Sequence, residues 1–89
     1  MNSLVIYMDE TDEICISYAR EIGGKIHVLK YGKNSPSTGI IYNGEETLED
    51  IKKFERTVDI LIFRKNTPIG RKILYSLEEL KGLKLLIIN

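Results

Sequence analysis

Eighty-nine residues suit one domain, 1–89, near the lower limit of what an unaided core can stabilise. Thirteen basic and thirteen acidic side chains cancel, which argues against a general grip on nucleic acid or anionic lipid. A single cysteine excludes an internal disulfide framework and fits a reducing, cytoplasmic setting.

Met1-Asn2-Ser3 leads straight into an apolar run, so neither a signal peptide nor a membrane span is expected there. That run, Leu4 to Met8, reads as a central parallel strand. An acidic turn, Asp9-Glu10-Thr11-Asp12-Glu13, follows it. Ile14, Cys15, Tyr18, Ala19 and Ile22 then recur at helical steps, and Gly23-Gly24 stops the helix. Lys25 to Tyr31 alternates as a second strand, with lysine near each end as an edge strand would carry.

Gly32 to Gly39 is a loop, followed by a short extended piece, Ile40-Ile41-Tyr42, and the turn pair Asn43-Gly44. Thr47, with Asp50 three residues on, is the expected cap of a second helix whose inner stripe is Leu48, Ile51 and Phe54. Val58 to Phe63 is a third strand, polar only at Asp59. Thr67-Pro68 opens a third helix with threonine as cap and proline in the first position. Its expected inner face is Ile69, Ile73, Leu74, Leu77 and Leu80. Gly82 closes it, and Leu83 to Ile88 is a fourth strand.

Strand and helix alternate, which predicts an α/β fold: a three-layer, open, parallel four-stranded sheet in the order 2-1-3-4. Right-handed crossovers put the first helix alone on one face and the other two helices on the opposite face. The third and fourth strands are then thinly covered on the first helix's side, although Leu83 and Leu85 to Ile88 are apolar throughout. A homodimer, or docking of a partner protein on that face, is one expectation; the other is that the strand order differs or that helix ends and the Gly32 to Gly39 loop supply the cover.

Three stretches carry the resemblance to a known family. Leu4-Val5-Ile6-Tyr7, a turn and a helix ending Ala19-Arg20-Glu21-Ile22-Gly23-Gly24 form the first; Asp59 to Gly70 forms the second; Leu77 to Lys84 forms the third. Together they make the chain resemble a shortened flavodoxin. The resemblance implies a sheet truncated after its fourth strand, since flavodoxins continue with a further helix and a fifth strand. It also implies flavin mononucleotide as the cofactor to test. Flavodoxins hold the flavin phosphate in a glycine- and hydroxyl-rich loop after the first strand. Here only Thr11 offers a hydroxyl, among four carboxylates that would repel a phosphate.

Two loops could carry chemistry. The acidic turn has the oxygen donors of a divalent-cation site, but Glu10, Asp12 and Glu13 also suit the first turn of a helix, where negative charge offsets the dipole. A receiver-like phosphorylation site would need an aspartate where Phe63-Arg64 stands. The basic loop Arg64 to Pro68, with Arg71 and Lys72 after it, has the composition of an anion site; Arg64, Asn66, Thr67 and Arg71 are its candidates. Pairing of the two loops with each other is the simpler expectation. Tyr42 is the candidate for stacking on a planar ligand, and Tyr18 and Tyr31 are expected to be half-buried.

Cys15 after a strand and loop is similar to the start of glutaredoxins, but Asp12 stands where a second cysteine would be needed. Cys15 therefore reads as a buried structural thiol, and His27 as a solvent-facing imidazole without metal-ligand spacing. No catalytic residue is assigned, because no nucleophile stands beside a base. The expected function is a non-catalytic domain acting through protein contact or dimerisation. The alternatives are a flavin- or nucleotide-binding redox protein completed across a dimer, and a thioredoxin-like domain lacking its C-x-x-C motif.

Overall fold

A computed structural model describes residues 1–7, 13–30 and 44–89, with the side chains of residues 7, 30 and 44–47 outside the description. Four strands, β1 (Ser3–Tyr7), β2 (Ile26–Lys30), β3 (Ile60–Arg64) and β4 (Lys84–Ile88), form one sheet. Its order is β2-β1-β3-β4 and every pairing is parallel, as the alternation of elements predicts. Three helices, α1 (Ile14–Ile22), α2 (Gly44–Lys52) and α3 (Pro68–Tyr75), connect the strands.

The pleat divides the strands between two cores. Val5 and Ile62 project to one side and pack against Cys15 and Ala19 of α1. Leu4, Ile6, Leu61 and Phe63 project to the other and meet Ile51 of α2 with Ile69 and Ile73 of α3. One helix lies on the first face and two on the second, which completes three layers. Among the described residues no helix is long and apolar enough to cross a membrane.

The start of the sheet is tied together by Asn2. Its side-chain oxygen accepts from the Lys25 amide at 3.1 Å, and its side-chain nitrogen donates to the Thr57 carbonyl at 3.2 Å. Its backbone N–H donates to the Asp59 carboxylate at 2.9 Å, while its carbonyl accepts from the Asp59 amide at 2.8 Å. Asp59, the one polar residue in an apolar run, is thus explained by the strand start it caps. Gly23 and Gly24 both have positive φ, near 80°. A side chain on Gly24 would strike the Met1 carbonyl, so this turn lets the chain pass under its own first residue.

Met8, Tyr31 and the piece Ile40-Ile41-Tyr42 lie outside the described residues. Among the described residues, boundaries of α2 and α3 differ from expectation. Helix α2 begins at Gly44, so Thr47 lies inside it rather than before its start. Helix α2 also ends before Phe54, which lies in the turn leading to Val58. Helix α3 stops at Tyr75, where the Ser76 amide donates to the Ile73 carbonyl, and a 3₁₀ turn over Leu77–Leu80 follows. The break turns Leu77 into solvent while Leu80 stays buried.

The first helix presents Cys15 and Ala19 to the sheet and leaves Ile14 and Tyr18 exposed on its flank, against the expectation for both. His27 is half-buried rather than solvent-facing. It shares the two-helix face with Leu29, and its ring lies 5.4 Å from that of Phe54. The expected bareness of the last strands is also corrected. Ile60, Leu86 and Ile88 are partly buried against the α1 core, and the most exposed apolar side chain of β4 is Ile87, on the opposite face.

One polar group sits badly in this core. Ser3 is fully buried, and its hydroxyl has no partner among the described residues. An orphaned buried hydroxyl costs about 1–3 kcal/mol. Ser3→Ala is therefore expected to raise the unfolding free energy by about 1 kcal/mol in a urea titration.

Candidate functional site

The β3–α3 connection is where the sequence concentrates its candidate residues and where backbone approaches backbone closely at Gly70. Thr67 is extended, with φ −106° and ψ 157°, and its hydroxyl oxygen accepts from the Gly70 N–H at 2.9 Å. The same hydroxyl donates to the Arg64 carbonyl at 2.9 Å. One side chain thereby satisfies the first turn of α3 and the last carbonyl of β3 in a single relay. Pro68 at the first helical position has no amide to satisfy there. Gly70 is buried against the same place, and a β-carbon on it would collide with the Arg64 carbonyl.

The expected anion-site residues divide around this corner. Arg64 and Thr67 are joined by the relay, but the Arg64 guanidinium donates to the Asn89 carbonyl at 2.6 Å, toward the end of β4. Asn66 is exposed in the turn. Arg71 lies on the outer side of α3, where Pro68, Arg71, Lys72 and Tyr75 line an open depression of about 430 Å³. Tyr75 is 89% exposed there. Arg71 and Lys72 make no ion pair among the described residues, which makes this stripe cationic; the side-chain pairs present are Lys52–Glu79 and Lys53–Asp50. Thr11 and Tyr42 lie outside the described residues, as does the acidic turn up to Asp12.

Glu13, the described end of that turn, occupies the position before α1 rather than its first turn. Its carbonyl accepts from both the amide and the hydroxyl of Ser17, at 2.8 and 2.9 Å. Cys15 is buried and forms no disulfide, as its place on the apolar face predicts. Among the described residues no three His, Cys, Asp or Glu side chains gather at a metal-sized site. Asn2 and Gly70 are the residues that sequence reasoning missed. Asn2 gives no signal beyond an amide before a strand, whereas Gly70, two residues after the Thr67-Pro68 pair, marks a close approach of backbone to backbone.

Comparison with protein-family models, with curated proteins and with solved structures finds no match to this chain.

The corner yields two expectations. Thr67→Ala removes the relay and should cost about 1 kcal/mol of stability, with Thr67→Ser retaining most of it; Gly70→Ala should cost more, because backbone must move. Urea midpoints of the three variants check the ranking. Separately, the Thr67 hydroxyl and the Arg64 guanidinium are already engaged, so titration with flavin mononucleotide is expected to leave flavin fluorescence unquenched. Saturable quenching at micromolar protein would instead establish a flavin site.

Proposed function

We propose that this chain is a non-catalytic contact domain on a flavodoxin-like scaffold, associating through the side of its sheet formed by β4. The observation that carries the reading is the state of that strand. It reads Lys-Leu-Leu-Ile-Ile, lies at the end of the sheet order, and keeps Leu85, Leu86 and Ile88 only partly covered and Ile87 42% exposed. By contrast, Leu61, Ile62 and Phe63 of the neighbouring β3 are essentially inaccessible.

Apolar side chains arrayed along an edge gain from a second surface that removes them from water, at roughly 25 cal/mol for each Å² buried. The balanced net charge supports the same reading, because nothing long-ranged opposes two copies meeting. The assignment as a non-enzyme rests on the engaged polar groups of the β3–α3 corner and the absence of a nucleophile–base pair in the sequence. A reducing, cytoplasmic setting suits a chain with a single cysteine, which is buried and forms no disulfide.

Light scattering coupled to size exclusion, from micromolar to millimolar protein, is the test. A mass of twice the chain, rising with concentration, is expected. A mass of one chain throughout would remove self-association and leave the contact reading dependent on a different protein.

A further inference from the structure

The edge of β4 specifies how a second copy would fit. In a parallel pair, alternate residues turn both backbone groups toward the same neighbour. The Lys84 amide donates to the Asp59 carbonyl at 3.0 Å, and the Ile88 carbonyl accepts from the Lys65 amide at 2.8 Å. Lys84, Leu86 and Ile88 therefore face β3, in register with Ile60, Ile62 and Arg64. Leu85 and Ile87 turn their N–H and C=O groups outward, where no strand lies among the described residues.

Resting on the contact reading above, we infer that two copies pair β4 to β4 in antiparallel fashion, with Leu86 on the two-fold axis, into one continuous eight-stranded sheet. Two open residues separated by one position are self-complementary under a two-fold: Leu85 meets the partner's Ile87, and Ile87 meets the partner's Leu85. Each of these pairs exchanges two backbone hydrogen bonds, which satisfies the outward groups of both residues. On the two-helix face Ile87 gains an apolar neighbour across the seam. On the other face the two Leu86 side chains meet directly, continuing the cross-strand row of Val28, Val5, Ile62 and Leu86, whose middle members Val5 and Ile62 are buried.

Charge supports a second copy in this register. Lys84 is the one charged residue of the strand, and the axis at Leu86 sets it opposite the partner's Ile88. The two lysines are then offset by four residues, about 14 Å along the strands. The axis placed at Leu85 would halve that offset and shorten the overlap. The other edge of the sheet is guarded differently: β2 ends at Lys30, is preceded by Lys25 and carries His27, whereas β4 has neither proline nor a second charge.

Two kinds of variant test the pairing. Proline at position 87 removes an outward N–H and leaves every β4 hydrogen bond to β3 in place. Ile87→Pro is therefore expected to keep a native circular dichroism spectrum and to weaken self-association by at least about tenfold in light scattering. Cross-linking supplies the second measurement. Opposed residues of a non-hydrogen-bonded antiparallel pair have Cα atoms about 4.5 Å apart, within the range of a disulfide. Leu86→Cys should give a covalent dimer on oxidation with oxidised glutathione, whereas Ile88→Cys, offset like Lys84, should not. The unmodified chain, with Cys15 buried, should stay uncross-linked. If the chain is dimeric but Leu86→Cys fails to cross-link, the edge pairing is overturned while the contact reading stands. If the chain is monomeric at every concentration, both self-association and the edge pairing fall.

Discussion

The fold depends on β1 being occupied in every direction. It is hydrogen-bonded to β2 on one side and to β3 on the other, and its Leu4, Val5 and Ile6 are closed off by helices above and below. A strand in that position has no freedom to slip, because a one-residue shift would exchange the side chains committed to α1 with those committed to α2 and α3. The Asn2 amide reinforces the register at the point where it is most exposed to error. Parallel strands begin on one side of the sheet, where their first amides and carbonyls lack ladder partners. Asn2 supplies partners to Lys25, Thr57 and Asp59 together. The cost of this density is visible next door, where Ser3 is buried with an unanswered hydroxyl.

The same constraint explains which parts of the fold were legible in the sequence. Strand direction and the division of helices follow from Leu4–Tyr7, Ile60–Phe63 and Leu85–Ile88 being apolar at successive positions between helical stretches, which a strand covered on both faces requires. The Thr67-Pro68 start of α3 was legible because local chemistry decides it: a hydroxyl to accept an amide, and a residue that lacks one. The start of α2 was not, since Glu45 and Glu46 favour a helix start as strongly as Thr47 does. Leu77 was misplaced for a related reason. A period of 3.6 carried through residue 80 ignores the break at Ser76, and nothing in Tyr75-Ser76-Leu77 announces it. His27 was misread because its partner, Phe54, comes from a turn after α2 that periodicity assigned to the helix itself.

The candidate site was legible as composition and not as geometry. Arg64, Asn66, Thr67 and Arg71 are near one another in sequence, and a basic loop before a helix suggests an anion. Folding gives them separate tasks. Thr67 joins β3 to α3, Arg64 reaches the Asn89 carbonyl beyond β4, and Arg71 joins Lys72 and Tyr75 on the outside of α3. A strand and the helix that follows it place successive side chains on different faces, so a cluster that spans their junction is dispersed by the turn itself. Proximity in sequence across a strand–helix junction is thus weak grounds for a shared ligand.

Among the described residues, a sheet of four strands with three short helices has two edges and no further layer to cover them. Surface-to-volume scaling makes this a general difficulty for chains of this size. One edge here carries charge: the exposed Lys25 stands immediately before β2 and Lys30 is its last residue. Treating β4 in the same way would have placed lysines where Leu86 and Ile88 now pack against the α1 core and where Leu85 packs against the opposite one. The edge is therefore apolar for reasons internal to the chain, and its outward backbone groups at Leu85 and Ile87 are left with water or another strand as their choices. Pairing with a second copy reconciles both demands. It retains the apolar residues that the small core needs, and it closes the edge that those residues make hazardous.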